Sequence, residues 1–454
     1  MAIGSPMMVL PQLLEHFETD QAAWLSASAM LAGAIWSPLL AKVSDLHGKR
    51  RTLIGSLVLA GAGAMVCFFA PSIWVFLIGR FFQGAAFASI FITVALVLQI
   101  CTPKVAMAMV GLVTSASSVV GIVEPFVMKP IIDTFGYRSV FVAAALVAVI
   151  SALSVRGCIP ESPVRGTGRL DTVGALLVGG GLGAVLAYVS LGRDIGWLST
   201  GMLALLTAGV TAFVAWVFFA LRVEEPIIDI RALTRPILLL LSAIALAAGS
   251  FRSMLQLTSI VAQVPGDSGL GYGLGDGESV AVLLAAPNVG IAFGGIVAGW
   301  LAGRIGPALP LVGGIAVGLV ATCAMLAGVS ILPLAIVCGA VVGLAAGAIG
   351  ASAYNLATTL VPPELQGTIA GLVSVVMALG SVVFSFTGSE VLKATQIVGD
   401  GASVSSATGV YLYVAIAGVL FVLAAVPAIM VARSWSDAYP STSLSSDEPL
   451  PQRI

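Results

Sequence analysis

The chain has 454 residues, of which 59% are hydrophobic and 9% are charged, whereas about a quarter of the residues of a soluble globular protein are charged. Its mean hydropathy is +1.09 and its net charge is −1. Folding alone cannot cover so much apolar surface, which excludes a soluble globular protein and predicts one dissolved in lipid. Five cysteines without a Cys-x-x-Cys pair and two separated histidines support neither a disulfide framework nor a metal site.

A transmembrane helix needs about 20 apolar residues, because the bilayer core is about 30 Å thick and each residue rises 1.5 Å. Apolar runs of that size are Ala/Leu/Gly-rich and do not alternate as strands would. They predict thirteen helices, at 22–41, 52–70, 73–100, 105–128, 139–158, 172–190, 200–221, 237–263, 279–301, 308–328, 331–358, 367–391 and 409–432. A further apolar stretch at 1–14 contains Pro6 and Pro11, and we expect from it a first helix that is natively short or truncated.

Basic residues are concentrated in alternate loops when these spans are placed in order. If the loop at 42–51 is cytoplasmic, most Lys and Arg residues outside the spans fall on the same side. Such a bias is typical of cytoplasmic loops. The pattern therefore predicts a multi-pass protein of the cell membrane whose C-terminus is cytoplasmic.

Two longer polar connections, at 156–171 and 222–236, divide the chain. We expect an all-α polytopic membrane protein, made of two six-helix bundles with two extra transmembrane helices inserted between them. A tail rich in Ser, Pro and acidic residues is predicted to be disordered and cytoplasmic. The boundaries predicted for the N-terminal bundle, the insertion with its flanking loops, the C-terminal bundle and the tail are 1–158, 159–236, 237–433 and 434–454.

Two loops at corresponding positions of the predicted bundles resemble each other. Residues 41–48 (AKVSDLHG) join the second and third helices of the first bundle, and residues 299–306 (GWLAGRIG) join those of the second. Gly48 aligns with Gly306. Many transporters are built from two such repeated halves, with the substrate site between them.

Several motifs resemble one family of transporters. Residues 41–51 (AKVSDLHGKRR) resemble the G-x-L-x-D-R-x-G-R-R/K loop of the major facilitator superfamily, and residues 80–84 (RFFQG) resemble the R-x-x-Q-G of its fourth helix. Residues 170–175 (LDTVGA) and 226–231 (PIIDIR) are similar to the segments that flank the two inserted helices of its fourteen-helix drug/proton antiporter group. The resemblance covers about 9–433 and implies secondary transport by alternating access.

The chain departs from that group in two helices. Where the group has G-x-x-x-G-P-x-x-G-G in the fifth helix, residues 121–129 read GIVEPFVMK, with Glu124 in place of a glycine. In the first helix, Ala2 stands at the distance from Leu10 and Pro11 at which the group tends to carry an Asp. More motifs therefore support transport than support drug/proton antiport.

Asp45, Gly48, Lys49 and Arg50 form the candidate gating loop. One interpretation is that the basic residues only anchor a helix end at the lipid headgroups. That interpretation leaves an Asp four residues before Lys49 unexplained, since a carboxylate there can pair with cations or with a neighbouring helix N-terminus. In the family that the chain resembles, this loop latches the two halves on the cytoplasmic side, which implies a gating role for Asp45.

Charged residues inside predicted spans are the candidates for coupling. A charge near the bilayer centre costs at least about 2.5–3.5 kcal/mol, so such residues usually face a cavity or a partner. Arg80 and Gln83 lie on the fourth helix, and Glu124 lies at a depth similar to that of Arg80 on the fifth. We predict an Arg80–Glu124 pair, which is either a static ion pair or a proton-responsive site with Glu124 as the proton-binding group.

Arg252 lies near the middle of the first helix of the second bundle. We predict that it lines the cavity, where it would favour an anionic substrate or a lipid headgroup; the alternative is that it snorkels outward. Polar residues inside other spans are weaker candidates for the cavity wall, and interhelical hydrogen bonding is their alternative role. These residues are Gln256, Asn288, Tyr354 and Asn355.

The sequence therefore predicts a secondary active transporter rather than an enzyme. We expect proton-coupled export of a small amphipathic or lipophilic compound by a monomer among membrane lipids, with no cofactor, no metal and no nucleic-acid partner. No G-x-x-x-x-G-K-[S/T] occurs, which disfavours an ATP-driven pump. The alternatives are uptake or facilitated transport of an anionic solute, and a non-transporting membrane receptor or lipid-handling protein.

Overall fold

The computed structural model describes residues 5–19, 22–164, 166, 170–224, 226–263, 278–399 and 402–438. Within these ranges the chain forms fifteen α-helices, a few short 3-10 turns and one two-stranded hairpin. Continuous helix is what a lipid-dissolved chain requires, because the bilayer offers no water to bond backbone N–H and C=O groups.

Seven helices, α1 to α7, precede the predicted insertion. The first is short, and α4 and α5 form one membrane-length segment through a 3-10 turn at Gly84–Phe87. Their bounds are Leu10–His16 for α1, Ala22–His47 for α2, Lys49–Phe68 for α3, Ile73–Gln83 for α4, Ala88–Ile100 for α5, Pro103–Phe135 for α6 and Ser139–Cys158 for α7.

The inserted pair consists of α8, Thr172–Ile195, and α9, Thr200–Ala220. The Asp171 carboxylate accepts a hydrogen bond from the Gly174 N–H at 2.7 Å, which caps the start of α8. It also accepts one at 3.2 Å from the N–H of Ile227, which follows α9. A cap of this kind is worth about 1 kcal/mol, and here the same carboxylate also joins the two ends of the insertion.

The remaining helices are α10 to α15, with the hairpin before the last of them. The hairpin pairs β1, Gln396–Gly399, with β2, Ala402–Ser405, in antiparallel register. The helices are Arg235–Gln263 for α10, Glu278–Ile305 for α11, Ala308–Gly328 for α12, Leu332–Thr359 for α13, Gln366–Ala394 for α14 and Ala407–Ala438 for α15.

Twelve of the thirteen predicted spans each correspond to one helix, the span at 73–100 consists of α4, the 3-10 turn and α5, and the predicted all-α membrane fold is confirmed. Twelve segments of the described chain are long and apolar enough to cross a bilayer, and α2, with 26 residues, is also long enough. Helix α15 continues to Ala438, past the predicted start of the tail at 434, and Trp435 is buried in its last turns. The rest of the predicted tail lies outside the described residues.

The chain divides into two compact units. Within the described residues, the first unit has an apolar core that includes Val9, Leu13, Cys67, Phe76 and Phe141. The second has one that includes Leu257, Leu283, Met325, Val342 and Tyr413. The units comprise Met1–Ile100, Val123–Leu233 and Val361–Val375, and Cys101–Ile122, Thr234–Leu360 and Val376–Ile454. The domain boundaries drawn from the sequence stay a prediction.

Glycines bring α11 and α13 into backbone contact. A Cβ atom at Gly343 would lie 2.1 Å from the Pro287 carbonyl oxygen, and one at Gly290 would lie 1.9 Å from the Ala340 carbonyl oxygen. No real Cβ atom approaches a neighbour so closely, so only glycine fits at these positions. Small residues of this kind let membrane helices pack closely where lipid provides no hydrophobic driving force.

Candidate functional site

The end of α2 contacts the beginning of α14 through Asp45. Its carboxylate accepts hydrogen bonds from the N–H groups of Gly367 at 2.9 Å and Thr368 at 2.7 Å, and from the Thr368 hydroxyl at 2.8 Å. Both N–H groups lie in the first turn of α14, where no intrahelical acceptor exists and the helix dipole attracts negative charge. Asp45 therefore caps a helix that lies more than 300 residues further along the chain.

Lys49 forms an ion pair with the same carboxylate, at 3.0 Å from Nζ to Oδ1 of Asp45. Both side chains are almost fully buried, at 0% and 3% exposure. A buried pair stabilises a structure only when further hydrogen bonds satisfy its atoms, and α14 supplies them here. Between the two residues, Gly48 has a φ of +104°, a conformation that favours glycine.

Glu161, in the connector between α7 and α8, was not predicted from the sequence. Its carboxylate accepts the N–H groups of Arg50 at 2.9 Å and Arg51 at 3.2 Å, and the Ser162 hydroxyl accepts the N–H of Lys49 at 3.1 Å. The connector thus caps the N-terminus of α3. A Pro-Glu-Ser run just after α7 is the only signal in the sequence, and it does not reveal which helix start lies nearby.

The surroundings of Glu161 keep its carboxyl group charged. Burial raises the pKa of Glu161, but hydrogen bonds from the N–H groups of Ser162, Arg50 and Arg51 and from the Ser162 hydroxyl lower it by more, so the pKa lies below its ordinary value. The guanidinium group of Arg51 also lies 3.7 Å away, but Arg51 is 72% exposed and this pair contributes little.

Two further hydrogen bonds complete this region. The Gly166 N–H of the connector donates to the Asp45 carbonyl at 2.8 Å. The Arg50 guanidinium donates to the Arg156 carbonyl near the end of α7. The predicted gating residues thus lie together, joined to the connector and to α14. We refer to the residues that make these contacts as the corner cluster: Asp45, Lys49, Glu161, Gly166, Gly367 and Thr368.

A second polar group lies inside α4. Arg80 and Gln83 are fully buried, and Nη1 of Arg80 donates to Oε1 of Gln83 at 2.9 Å. The Cys67 thiol of α3 contacts the same oxygen at 3.7 Å. A guanidinium group buried in a span is tolerated only where polar partners compensate its desolvation, and Gln83 is one such partner.

Glu124 lies on α6 and its side chain is 8% exposed. It directly precedes Pro125, and Pro130 lies further along the same helix. Each proline leaves one carbonyl of the preceding turn without its helical donor, so α6 is locally weakened beside Glu124. The Arg80–Glu124 pair and proton binding by Glu124 stay predictions.

The candidates predicted on α10 and α11 are accessible to different degrees. Arg252 is exposed on α10, whereas Gln256 on the same helix and Asn288 on α11 are half-buried. The predicted cavity role of these three residues stays a prediction.

The two candidates on α13 are both buried. The Asn355 amide donates to the Met107 carbonyl at 3.2 Å, which joins α13 to α6. For Asn355 the structure therefore shows the interhelical hydrogen bond that was the alternative to lining a cavity. Tyr354 is 6% exposed on the same helix.

A small cavity lies among α10, α11, α12 and α13 of the second unit. Its wall is almost wholly apolar, and thioether and thiol groups in it are polarizable and adapt to different shapes. The sequence does not reveal this wall, because four helices contribute to it. Its residues are Phe251, Met254, Leu255, Thr258, Pro287, Met325, Cys338, Gly339 and Val342.

The fold is similar to that of solved transporter structures. The Fucose:proton symporter FucP of E. coli matches with a TM-score of 0.60 at 14% identity, over 95% of this chain and 96% of that chain. The proton:xylose symporter XylE matches with a TM-score of 0.59 at 15% identity, over 94% and 91%. At such low identity these likenesses concern the fold alone.

The sequence model of the Major Facilitator Superfamily matches residues 1–385. The chain belongs to this superfamily. Members of this superfamily are membrane transporters and not enzymes.

Its relatives include two proteins named as transporters and one named as a multidrug resistance protein. The uridine/deoxyuridine transporter of Lactococcus lactis is 28% identical over 66% of this chain, and the match spans 64% of that transporter, less than two thirds of its length. The multidrug resistance protein Stp of Mycobacterium tuberculosis is 26% identical over 84% of this chain and 71% of its own length. The probable actinorhodin transporter of Streptomyces coelicolor is 26% identical over 84% and 68%.

Proposed function

We propose that the protein is a secondary active transporter that exports a small amphipathic or lipophilic compound by alternating access, driven by protons. The observation that carries the proposal is the contact of the Asp45 carboxylate with the first turn of α14. It joins the loop of one predicted bundle to a helix of the other through three hydrogen bonds. Such a contact is suited to a gate that closes one side of the membrane.

The energy of this contact suits a gate that opens and closes. A hydrogen bond to a charged group contributes about 1.5–3 kcal/mol net, because water replaces the partner when the bond breaks. At the predicted cytoplasmic end of α2, water would solvate both Asp45 and the first turn of α14 after opening. Closed and open states would then differ by a few kcal/mol, which differential binding of a substrate or a proton can offset.

The names of two relatives favour export of a drug-like compound. Relatives that span most of this chain are named as a multidrug resistance protein and a probable actinorhodin transporter. Resistance to drugs is what their export from a cell would produce.

Glu124 is the proposed proton-binding group. Burial favours the neutral form of a carboxyl group, whereas a nearby cation favours the charged form. A change in the distance between Glu124 and Arg80 during the cycle would therefore change proton binding at Glu124. Both side chains are buried, so bulk water would not suppress this effect.

A second candidate function is uptake or facilitated transport of an anionic solute. Arg252 favours it, since its side chain is exposed within α10, a helix of membrane-spanning length. An arginine in such a position would attract an anion. Transport of an anionic dye such as fluorescein, abolished by Arg252→Ala, would support this candidate over the first.

The gate is tested in proteoliposomes with an imposed proton gradient and ethidium as the lipophilic probe. Asp45→Asn should lower the transport rate at least about tenfold at equal protein amounts, because the neutral amide weakens the cap on α14. The matched control is Asp229→Asn, since Asp229 accepts a backbone N–H from Arg231 at 3.0 Å in an exposed loop outside the corner cluster. Wild-type rates in Asp45→Asn would remove the gating role.

Coupling is tested in the same vesicles with Glu124→Gln. This variant should lose all dependence on the proton gradient but still exchange the probe down its own gradient, because the amide cannot carry a proton through the cycle. Exchange without accumulation is the expected result. Gradient-driven accumulation that survives in Glu124→Gln would mean that another group carries the proton.

A further inference from the structure

The inserted helix α8 packs on α2 around one side chain, that of Ile35. A Cβ atom at Gly183 would lie 2.9 Å from Cδ1 of Ile35, and one at Gly179 would lie 2.9 Å from the Ile35 carbonyl oxygen. The two glycines stand one turn apart on α8 and leave the groove that Ile35 occupies. Gly180, beside them, has open space around its Cβ position, so the contact is confined to one face of α8.

The connector that leads into α8 adds a second contact with α2, which lies in the corner cluster. There the Gly166 N–H donates to the Asp45 carbonyl at 2.8 Å. Ile35 and Asp45 are separated by about 15 Å along the helix, at 1.5 Å per residue. The insertion and its connector therefore hold α2 at two points, one inside the helix and one at its end.

Between these two points α2 contains Pro38. A proline inside a helix removes one backbone hydrogen bond and permits a bend. The position of the segment from Pro38 to Asp45 thus depends on contacts outside the helix as well as on the helix itself. Since α9 buries little of its surface, α8 is the inserted helix that can provide such a contact.

We propose that α8 is a positioning element for the gate. By holding Ile35, and through its connector the Asp45 carbonyl, it keeps the Asp45 carboxylate aligned with the first turn of α14. The inference rests on the proposed function in so far as Asp45 is the gate. It assigns to the inserted pair a role in setting how often the gate opens, without any contact between that pair and the substrate.

The experiment measures hydrogen exchange by mass spectrometry on the full chain in lipid nanodiscs, in a peptide covering 366–369. The N–H groups of Gly367 and Thr368 have no intrahelical acceptor, so their protection reports the contact with Asp45. Gly183→Ala places a methyl group against Ile35 and should raise their exchange rate at least about fivefold. Gly180→Ala, the matched control, should leave it unchanged.

A second pair of variants distinguishes positioning from a general loss of stability. Ile35→Ala removes the atoms that the new methyl group would meet, so in this background Gly183→Ala should raise exchange no further than Ile35→Ala does alone. The effect of Gly179→Ala should persist in the same background, because its methyl group meets the backbone of Ile35. If Gly183→Ala is not recovered from membranes, Ile35→Ala alone should raise exchange, since it removes the same contact.

Equal exchange in Gly183→Ala and Gly180→Ala, or in Ile35→Ala and the wild type, would overturn the positioning role. Equal additional effects of Gly179→Ala and Gly183→Ala in the Ile35→Ala background would overturn it as well, since the packing geometry would then be irrelevant. Failure of the proposed function is separate, because it appears as wild-type transport in Asp45→Asn. Exchange at α14 is measured without any substrate.

Discussion

Three carboxylates, those of Asp45, Glu161 and Asp171, each accept backbone N–H groups at the start of a helix and also reach a second segment of the chain. Asp45 binds the first turn of α14, Glu161 that of α3, and Asp171 both α8 and the segment after α9. Because the first N–H groups of a helix have no partner within it, one acid satisfies several donors at once. The chain has few charged residues, and these three carboxylates join helix ends that lie far apart in the sequence.

Glu161 makes stability depend on pH. Its pKa is lowered in the folded protein, so its stabilising contribution is present above the unfolded-state pKa and is lost as the pH falls through the folded-state pKa. The apparent melting temperature in detergent should therefore fall with acidification in the wild type and fall less in Glu161→Gln. Glu161→Ala should cost about 0.5–2 kcal/mol at neutral pH, as for other helix caps.

The matched control for this measurement is Glu15→Gln, since Glu15 is an exposed carboxylate on α1. It should follow the wild-type curve at every pH. If Glu161→Gln and the wild type lose stability in parallel on acidification, the cap on α3 is not the source of the pH dependence.

At the scale of helices, glycine decides which elements touch. The four glycines Gly290, Gly294, Gly343 and Gly347 place α11 and α13 so close that any Cβ atom would meet backbone of the other helix. The contact of α8 with α2 uses the same device around Ile35. Lipid tails are as apolar as the helices, so close packing, rather than apolar burial, selects such pairs.

Substitutions where α11 packs against α13 should distinguish the effect of close packing on stability from the effect of helix propensity. Gly343→Ala should lower the apparent melting temperature and cost about 1–3 kcal/mol, because the methyl group would overlap the Pro287 carbonyl. Gly339→Ala, one turn earlier on α13, meets only the Pro287 ring at 3.5 Å and should be neutral or slightly stabilising. Equal stability of the two variants would contradict the close approach.

At the scale of the whole chain, the contacts of the corner cluster agree with the predicted order of spans. Asp45, Glu161, Gly166 and Gly367 belong to loops or helix ends that the alternation of spans assigns to one side of the membrane. The structure brings all four together. If the prediction had one span too many or too few between these residues, some of them would be assigned to the opposite side of the bilayer, about 30 Å from the others.

Cys158 allows this orientation to be measured on the native sequence. It is exposed at the end of α7, beside the connector, and the positive-inside rule places it in the cytoplasm. A membrane-impermeant maleimide should label it in inside-out vesicles but not in intact cells, and Cys158→Ser should abolish that signal. Labelling of Cys158 in intact cells would reverse the predicted topology, including that of the C-terminus.

The sequence by itself determined the membrane class, the thirteen long helices and the family, because each rests on a local property. Apolar runs of bilayer length and short motifs can be recognised in the sequence without knowledge of distant contacts. The spacing of Asp45, Gly48 and Lys49 likewise marked the residues that the structure joins to the start of α14. Helix α15 extends beyond its apolar run, and burial of Trp435 in this extension is a tertiary contact that the run does not reveal.

Only the tertiary structure decided which segments meet. That Asp45 caps α14, that Glu161 caps α3 and that Ile35 packs between Gly179 and Gly183 each depend on two segments far apart in sequence. No local pattern encodes such a pairing, because the residues beside an acid or a glycine do not specify which distant segment it will contact. Their partners are set by how the helices pack, which depends on backbone approach at glycines and on the orphan N–H groups at helix starts.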